Sequence, residues 1–160
     1  MIEIQLKVNK ASVYEEVAKT TSYAGAKMEG DKQAYDRIFT TDDDRLMLER
    51  FWNEASNAAT EQMKPFILSV SVHSDERTVN LENNYELKLE LSNSFDTNLR
   101  DSIETSLKSF FVSYITSRWF KFTNKKESGD YGNDADGMLD DVMRKIYYRK
   151  KPKRLKPRSK

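Results

Sequence analysis

The sequence predicts an α+β fold: a small antiparallel sheet of about three strands, covered on one face by three to four helices and followed by an extended basic C-terminal arm. Three observations predict it. Short stretches alternate apolar and polar residues with the two-residue period of a strand. Longer ones repeat apolar residues at three- and four-residue steps, as a helix with one buried face does. The last seventeen residues, Arg144 to Lys160, hold ten Lys or Arg and no Asp or Glu. A sheet that is apolar on one face, with amphipathic helices to cover it, is the simplest two-layer solution.

The elements follow in order. Ile2, Ile4, Leu6 and Val8 alternate with Glu3, Gln5 and Lys7, a strand buried on one side. Ser12-Val-Tyr-Glu15 has the form of a capping box and predicts a helix from about Val13 into Ala24 or Lys27. Gly25 and Gly30 then loosen the chain before Tyr35 to Thr40, a short helix or an extended connector. Thr41 followed by Asp42, Asp43 and Asp44 marks another helix start, since Thr caps and carboxylates suit the positive end of the helix dipole. From there Leu48, Phe51, Trp52, Ala55, Ala58, Ala59 and Met63 keep one apolar stripe until Pro65.

Leu68, Val70 and Val72 alternate with Ser69, Ser71 and His73, and Tyr85, Leu87, Leu89 and Leu91 with Glu86, Lys88 and Glu90, giving two more half-buried strands. The hairpin between them is tight around Asp75 and Glu76, or longer, depending on where the run Thr78 to Leu81 falls. Ser94 or Asp96 caps the most apolar helix, carrying Leu99, Ile103, Leu107, Phe110, Phe111, Tyr114 and Ile115 at the centre of the core. Residues 124–137 contain three of the five glycines together with acids, and read as a flexible acidic linker. The α+β body is therefore expected over residues 1–123. Residues 138–160 follow as a short amphipathic helix, built on Met138, Leu139, Val142, Met143, Ile146 and Tyr147, plus the arm. Pro152 and Pro157 forbid helix in the arm, which is expected to be extended and mobile, with a reach on the order of 40 Å for its last dozen residues.

Composition narrows the function. With 33% charged residues and a mean hydropathy of −0.80, the longest apolar stretch, Phe110 to Phe120, is too short and too interrupted to span a bilayer, so no membrane partner is expected. The chain opens directly on an alternating strand pattern, so a cleaved secretion signal is not expected either. Cysteine is absent, which excludes disulfides, thiolate metal sites and cysteine nucleophiles.

Chemical motifs are equally scarce. Gly132-Asn-Asp-Ala-Asp-Gly137 has the flavour of a calcium loop, but the first position is glycine and the twelfth is Met143, so two required carboxylates are missing. It reads as a solvated acidic turn. Asp42, Asp43 and Asp44 point about 100° apart around a helix and cannot converge on one ion. His73 is the one histidine, and no phosphate-cradling or nucleophile-elbow motif accompanies it. No cofactor, metal or enzymatic activity is expected.

What remains is charge. The arm holds ten of the 27 basic residues, leaving 17 against 26 acids in residues 1–143, a net of −9. Arg144, Lys145, Arg149, Lys150, Lys151, Lys153, Arg154, Lys156, Arg158 and Lys160 are the candidate binding residues, for a neighbour's acidic surface or for nucleic acid. Arg118-Trp119-Phe120-Lys121-Phe122 also sets aromatic beside basic residues. There Trp119 and Phe122 are expected to complete the core, with basic stems along its edge.

Tyr35-Asp-Arg-Ile38 and the run from Thr41 to Ala55, above all Glu49-Arg-Phe-Trp-Asn-Glu-Ala55, resemble uncharacterised virion structural proteins of phages and prophages infecting Bacteroides-type bacteria, crAss-like phages among them. The resemblance covers roughly residues 12–70. It implies a head-to-tail connector or tail-adaptor subunit that forms an oligomeric ring, contacts portal or tail proteins, and is made in the bacterial cytoplasm before joining the virion. It assigns no functional residue.

Overall fold

The computed structural model describes residues 1–27, 34–71, 79–154 and 157. Strands β1 (Ile2–Val8), β2 (Ile67–Ser71) and β3 (Tyr85–Leu91) form an antiparallel sheet in the order β1-β3-β2. Five helices accompany it among the described residues: α1 (Lys10–Lys27), the short α2 (Ala34–Ile38), α3 (Arg45–Met63), α4 (Arg100–Thr123) and α5 (Lys125–Tyr147). The α+β reading holds. Ile4 stands opposite Leu89 and Leu6 opposite Leu87, so the apolar sides of β1 and β3 coincide beneath the helices. Glu3, Gln5, Lys7 and Glu86 stay on the open polar face.

Local chemistry explains the helix starts. Asn9, not Ser12, caps α1: its Oδ1 accepts the Ser12 N–H at 2.9 Å, three residues earlier than expected. Gly25 lies within α1 rather than ending it. A Cβ at Gly25 would stand 2.8 Å from Tyr35 Cα, so glycine is what lets α2 close onto α1. The Asp44 carboxylate accepts the Thr41 N–H at 2.8 Å across a 3-10 turn that leads into α3. Asp96 accepts from the Asn98 N–H at 3.0 Å and opens the turn into α4. Central in the fold, α4 buries Ile103, Leu107, Phe111 and Ile115, with the Phe111 ring 4.7 Å from Trp52 and 5.2 Å from Tyr85.

Three expectations are corrected. First, Leu68 and Val70 are 47% and 40% exposed instead of buried. β2 is an edge strand with a register shift between Ile67 and Ser69, which breaks the alternation a flat strand would keep. Second, Phe122 does not complete the core. It is 74% exposed and leans on Phe51, while Phe120 is the fully buried ring. Third, the supposed linker is helix: only Asn124 separates α4 from α5, and α5 continues to Tyr147. The acidic run 132–137 is therefore helix interior rather than a turn.

The third correction has a physical cause. Ser128, Gly132, Ala135, Leu139, Val142 and Ile146 recur at alternating steps of four and three, a seam that faces α4 in an antiparallel hairpin. Near the hairpin bend the residues are small, and Ser117 and Ser128 exchange hydroxyl-to-carbonyl hydrogen bonds of 2.8 and 2.9 Å. Farther along they are large and join the core. Three interior glycines cost about 3 kcal/mol relative to alanine. Burying Leu139, Val142 and Ile146 contributes about 1.5–3 kcal/mol each, which outweighs that cost.

The sheet's two edges differ. On β1 the Arg100 Nε donates to the Gln5 carbonyl at 3.0 Å, and the Lys7 N–H donates to Glu104 Oε2 at 3.0 Å, so side chains of α4 occupy that edge. The expectations for Gly30, Val72, His73, the turn at Asp75 and Glu76, and Thr78 lie outside the described residues.

Candidate functional site

The basic residues named from sequence divide into three groups. Lys145 is structural. Its Nζ lies 2.6 Å from Asp141 Oδ2 and donates to Ser106 Oγ at 3.0 Å, while Ser106 donates to Asp141 at 2.7 Å. This knot joins α5 to α4. The Lys145 hydrogen bond, then that of Ser106, holds the Asp141 carboxyl below the usual carboxylate range. The four-residue spacing of Asp141 and Lys145 was the available signal for this role.

Arg144 and Arg149 form the second group, at the end of the helix. Arg144 is largely exposed, 3.6 Å from Asp141. Arg149 donates to the Ile146 carbonyl at 3.2 Å, satisfying an acceptor that the helix end leaves open. Its backbone pairs with Phe95 in an isolated antiparallel bridge, and the Lys150 N–H donates to the Ser94 carbonyl at 2.7 Å. The expected mobile arm is thus fastened at its root.

Lys150, Lys151, Lys153 and Arg154 make up the third group. They are exposed, non-helical, and without an ion pair among the described residues. Tyr147 and Tyr148, 55% and 49% exposed, stand beside them, with Tyr147 edge-on to Phe66 at 5.2 Å. Lys156, Arg158 and Lys160 lie outside the described residues.

An acidic counterpart sits on the same helix. Glu127, Asp130, Asp134, Asp136, Asp140 and Asp141 fall between residues 127 and 143, where no Lys or Arg occurs. At about 100° per residue, Asp130, Asp134 and Asp140 stand on the outer side of α5, Asp141 stands between Asp130 and Asp134 but is tied to Ser106, and Glu127 and Asp136 lie on the flanks of the seam. Asp130, Asp134, Asp136 and Asp140 are exposed and make no ion pair among the described residues. Glu127 and Asp134 act on Tyr131, whose hydroxyl pKa is raised first by burial and then by these two charges.

Sequence reasoning missed one polar cluster entirely. Lys10 Nζ and Glu49 Oε1 meet at 2.5 Å with side-chain exposures of 0% and 1%. The Tyr14 hydroxyl donates to Glu49 Oε2 at 2.6 Å, and the ammonium lies 5.4 Å from the Trp52 ring centre. Burial, and then the Glu49 hydrogen bond, pushes the Tyr14 hydroxyl pKa well above its ordinary value. Enclosed on all sides, the pair offers no approach to a substrate and fastens α1 to α3. Its signal was slight: Lys10 precedes the expected helix, and Glu49 stands beside buried Leu48 on the apolar side of its own.

No group of three or more His, Asp or Glu converges to hold a metal among the described residues, and none of their helices is long and apolar enough to cross a membrane. No known family model, curated protein or solved structure matches the chain.

Proposed function

We propose that this chain is a non-enzymatic assembly subunit of a phage virion, of the head-to-tail connector or tail-adaptor type, whose copies associate into a ring. The observation that carries the reading is the separation of charge along one helix and its extension, with free carboxylates on α5 and free cations just beyond it. Such patches on one chain are complementary between copies, and a head-to-tail contact closes into a ring when its rotation permits. The resemblance of residues 12–70 to virion proteins supports the setting.

Light scattering coupled to size exclusion tests the self-association. Truncation at Arg144 would strip Lys145 and the buried Ile146 from the fold, so the arm is cut after Lys150 instead. The full chain is expected to form an oligomer that dissociates with salt, and the truncated chain to be monomeric. A salt-insensitive monomer unchanged by truncation would count decisively against the proposal.

One observation favours a second reading, a nucleic-acid-binding accessory protein: the half-exposed rings of Tyr147 and Tyr148 stand beside Arg149 and Lys150, the residue types that supply stacking and phosphate contacts. Its affinity for single-stranded oligonucleotides would fall steeply with salt. Undetectable binding at about 50 mM salt would eliminate it.

A further inference from the structure

We infer that the outward face of α5 is a docking surface for the basic arm of a second copy of this chain. The inference rests on the self-association proposed above and names the two surfaces that meet.

The face has shape as well as charge. Toward its C-terminal end a shallow groove of about 630 Å³ is lined by Gly137, Asp140, Met143, Arg144, Tyr147 and Tyr148. Met138 is 38% exposed beside it. Toward the hairpin bend the groove gives way to the carboxylates of Asp130 and Asp134. From Asp130 to Asp140 the helix advances about 15 Å, a length that four or five extended residues match. The described arm from Lys150 to Arg154 has that length and carries four cations.

Within one copy the root of the arm is held by its own backbone pairing. The arm root crosses to Ser94 and to Phe95, which is fully buried in the core that α4 shares with the sheet, while Tyr147 and Tyr148 line the groove beside Asp140. The Arg149 backbone and the Lys150 N–H are thereby committed to Phe95 and Ser94 rather than to α5. Neither set finds ion-pair partners inside the described molecule, and both find them when one copy's arm lies along the next copy's helix. Because the arm and the helix face are different surfaces, the contact is heterologous and repeats from copy to copy.

The experiment uses the full chain. Asp130→Asn, Asp134→Asn and Asp140→Asn are combined, at exposed positions where the fold should be indifferent, and circular dichroism checks that it is. Removing three partners of the arm is expected to weaken self-association on the order of tenfold or more. A charge-reversed chain with Asp130→Lys, Asp134→Lys and Asp140→Lys should not associate alone. It should recover association when mixed with a chain carrying Lys151→Glu, Lys153→Glu and Arg154→Glu. Zero-length carbodiimide cross-linking of an equal mixture of isotopically light and heavy chains should join arm lysines to α5 aspartates in mixed-isotope pairs.

The inference is overturned, with self-association left standing, if the triple Asn variant associates like the parent and cross-links map elsewhere. It is equally overturned if all arm-to-α5 links fall within single chains, which would mean the arm folds back on its own helix. A parent chain that is monomeric at every salt concentration overturns both this inference and the reading beneath it.

Discussion

The buried Lys10–Glu49 pair makes the sharpest test of the fold. Glu49→Gln preserves shape and leaves an oxygen to accept from Tyr14, so no cavity forms, but it strands the Lys10 ammonium where exposure is 0%. Breaking a buried pair by removing one partner costs about 3–5 kcal/mol, mainly through the charge left behind. The Trp52 ring, 5.4 Å from that ammonium, offsets only about 0.5–2 kcal/mol in parent and variant alike. A loss of about 4 kcal/mol would lower Tm by roughly 8–16 °C in a chain of this size. In urea, with m about 2 kcal/mol/M, the midpoint would fall by about 2 M.

Replacing the pair together separates attraction from desolvation. Lys10→Met with Glu49→Leu removes both charges at once and leaves only the Tyr14 hydroxyl unsatisfied, at about 1–3 kcal/mol. Adding Tyr14→Phe removes that cost, and the triple variant should match or exceed the parent in stability. Urea titrations of Lys10→Met, Glu49→Leu and their double variant give the coupling energy directly. If Glu49→Gln costs under about 1 kcal/mol, and Glu49→Leu and Lys10→Met simply add in the double variant, the pair does not fasten α1 to α3 and the reasoning fails.

Four further outcomes are expected. Gly129→Ala and Gly137→Ala, where nothing lies within 4 Å of the added carbon, should each stabilise the fold by about 0.5–1 kcal/mol in thermal melts; an unstructured linker would show no gain. Gly25→Ala should instead destabilise by about 1–3 kcal/mol, because its Cβ meets the Tyr35 backbone at 2.8 Å. Asp141 has a folded pKa below its ordinary 3.8, so its stabilisation is full above that value and lost as pH falls through the lower folded one; Asp141→Asn should flatten the stability–pH curve in that acid window. The Tyr85 hydroxyl, buried and pushed up to about 12, stabilises the fold below its ordinary 10 and ceases to as pH rises toward 12; Tyr85→Phe should reduce the alkaline loss measured by urea titration.

How much of the fold was legible depended on which force set each element. β1, β3 and α3 could be read because a single buried face dictates their period, and tertiary context only ratifies it. β2 kept the right period but the wrong burial: Leu68 and Val70 alternate like core residues, and only sheet order, a non-local fact, puts them on an exposed edge. The cap of α1 was misassigned for a local reason. Asn9 and Ser12 are both good caps, and the choice follows from where β1 releases the chain rather than from either side chain.

The seam of α5 was present in the sequence but hidden by its composition. Glycine and aspartate each argue for a loop when weighed singly, and four acids among the three glycines of residues 124–137 look like a solvated linker. Yet Ser128, Gly132, Ala135, Leu139, Val142 and Ile146 alternate steps of four and three without a break, and that period needs only a partner helix to bury it. α4 supplies one, because its own Ile103, Ser106, Phe110, Ser117 and Phe120 recur at steps of three, four and seven on the facing side. Once α5 is a helix, the charges acquire positions. Asp130, Asp134 and Asp140, which a flexible linker would scatter, are fixed on the outer side of the helix, and the cations that seemed to begin at Arg144 separate into Lys145, which ties the hairpin, and the free run from Lys150 to Arg154. The two sets end up on one helix and its extension, each without an ion-pair partner among the described residues, which turns a compositional asymmetry into an argument for contact between copies.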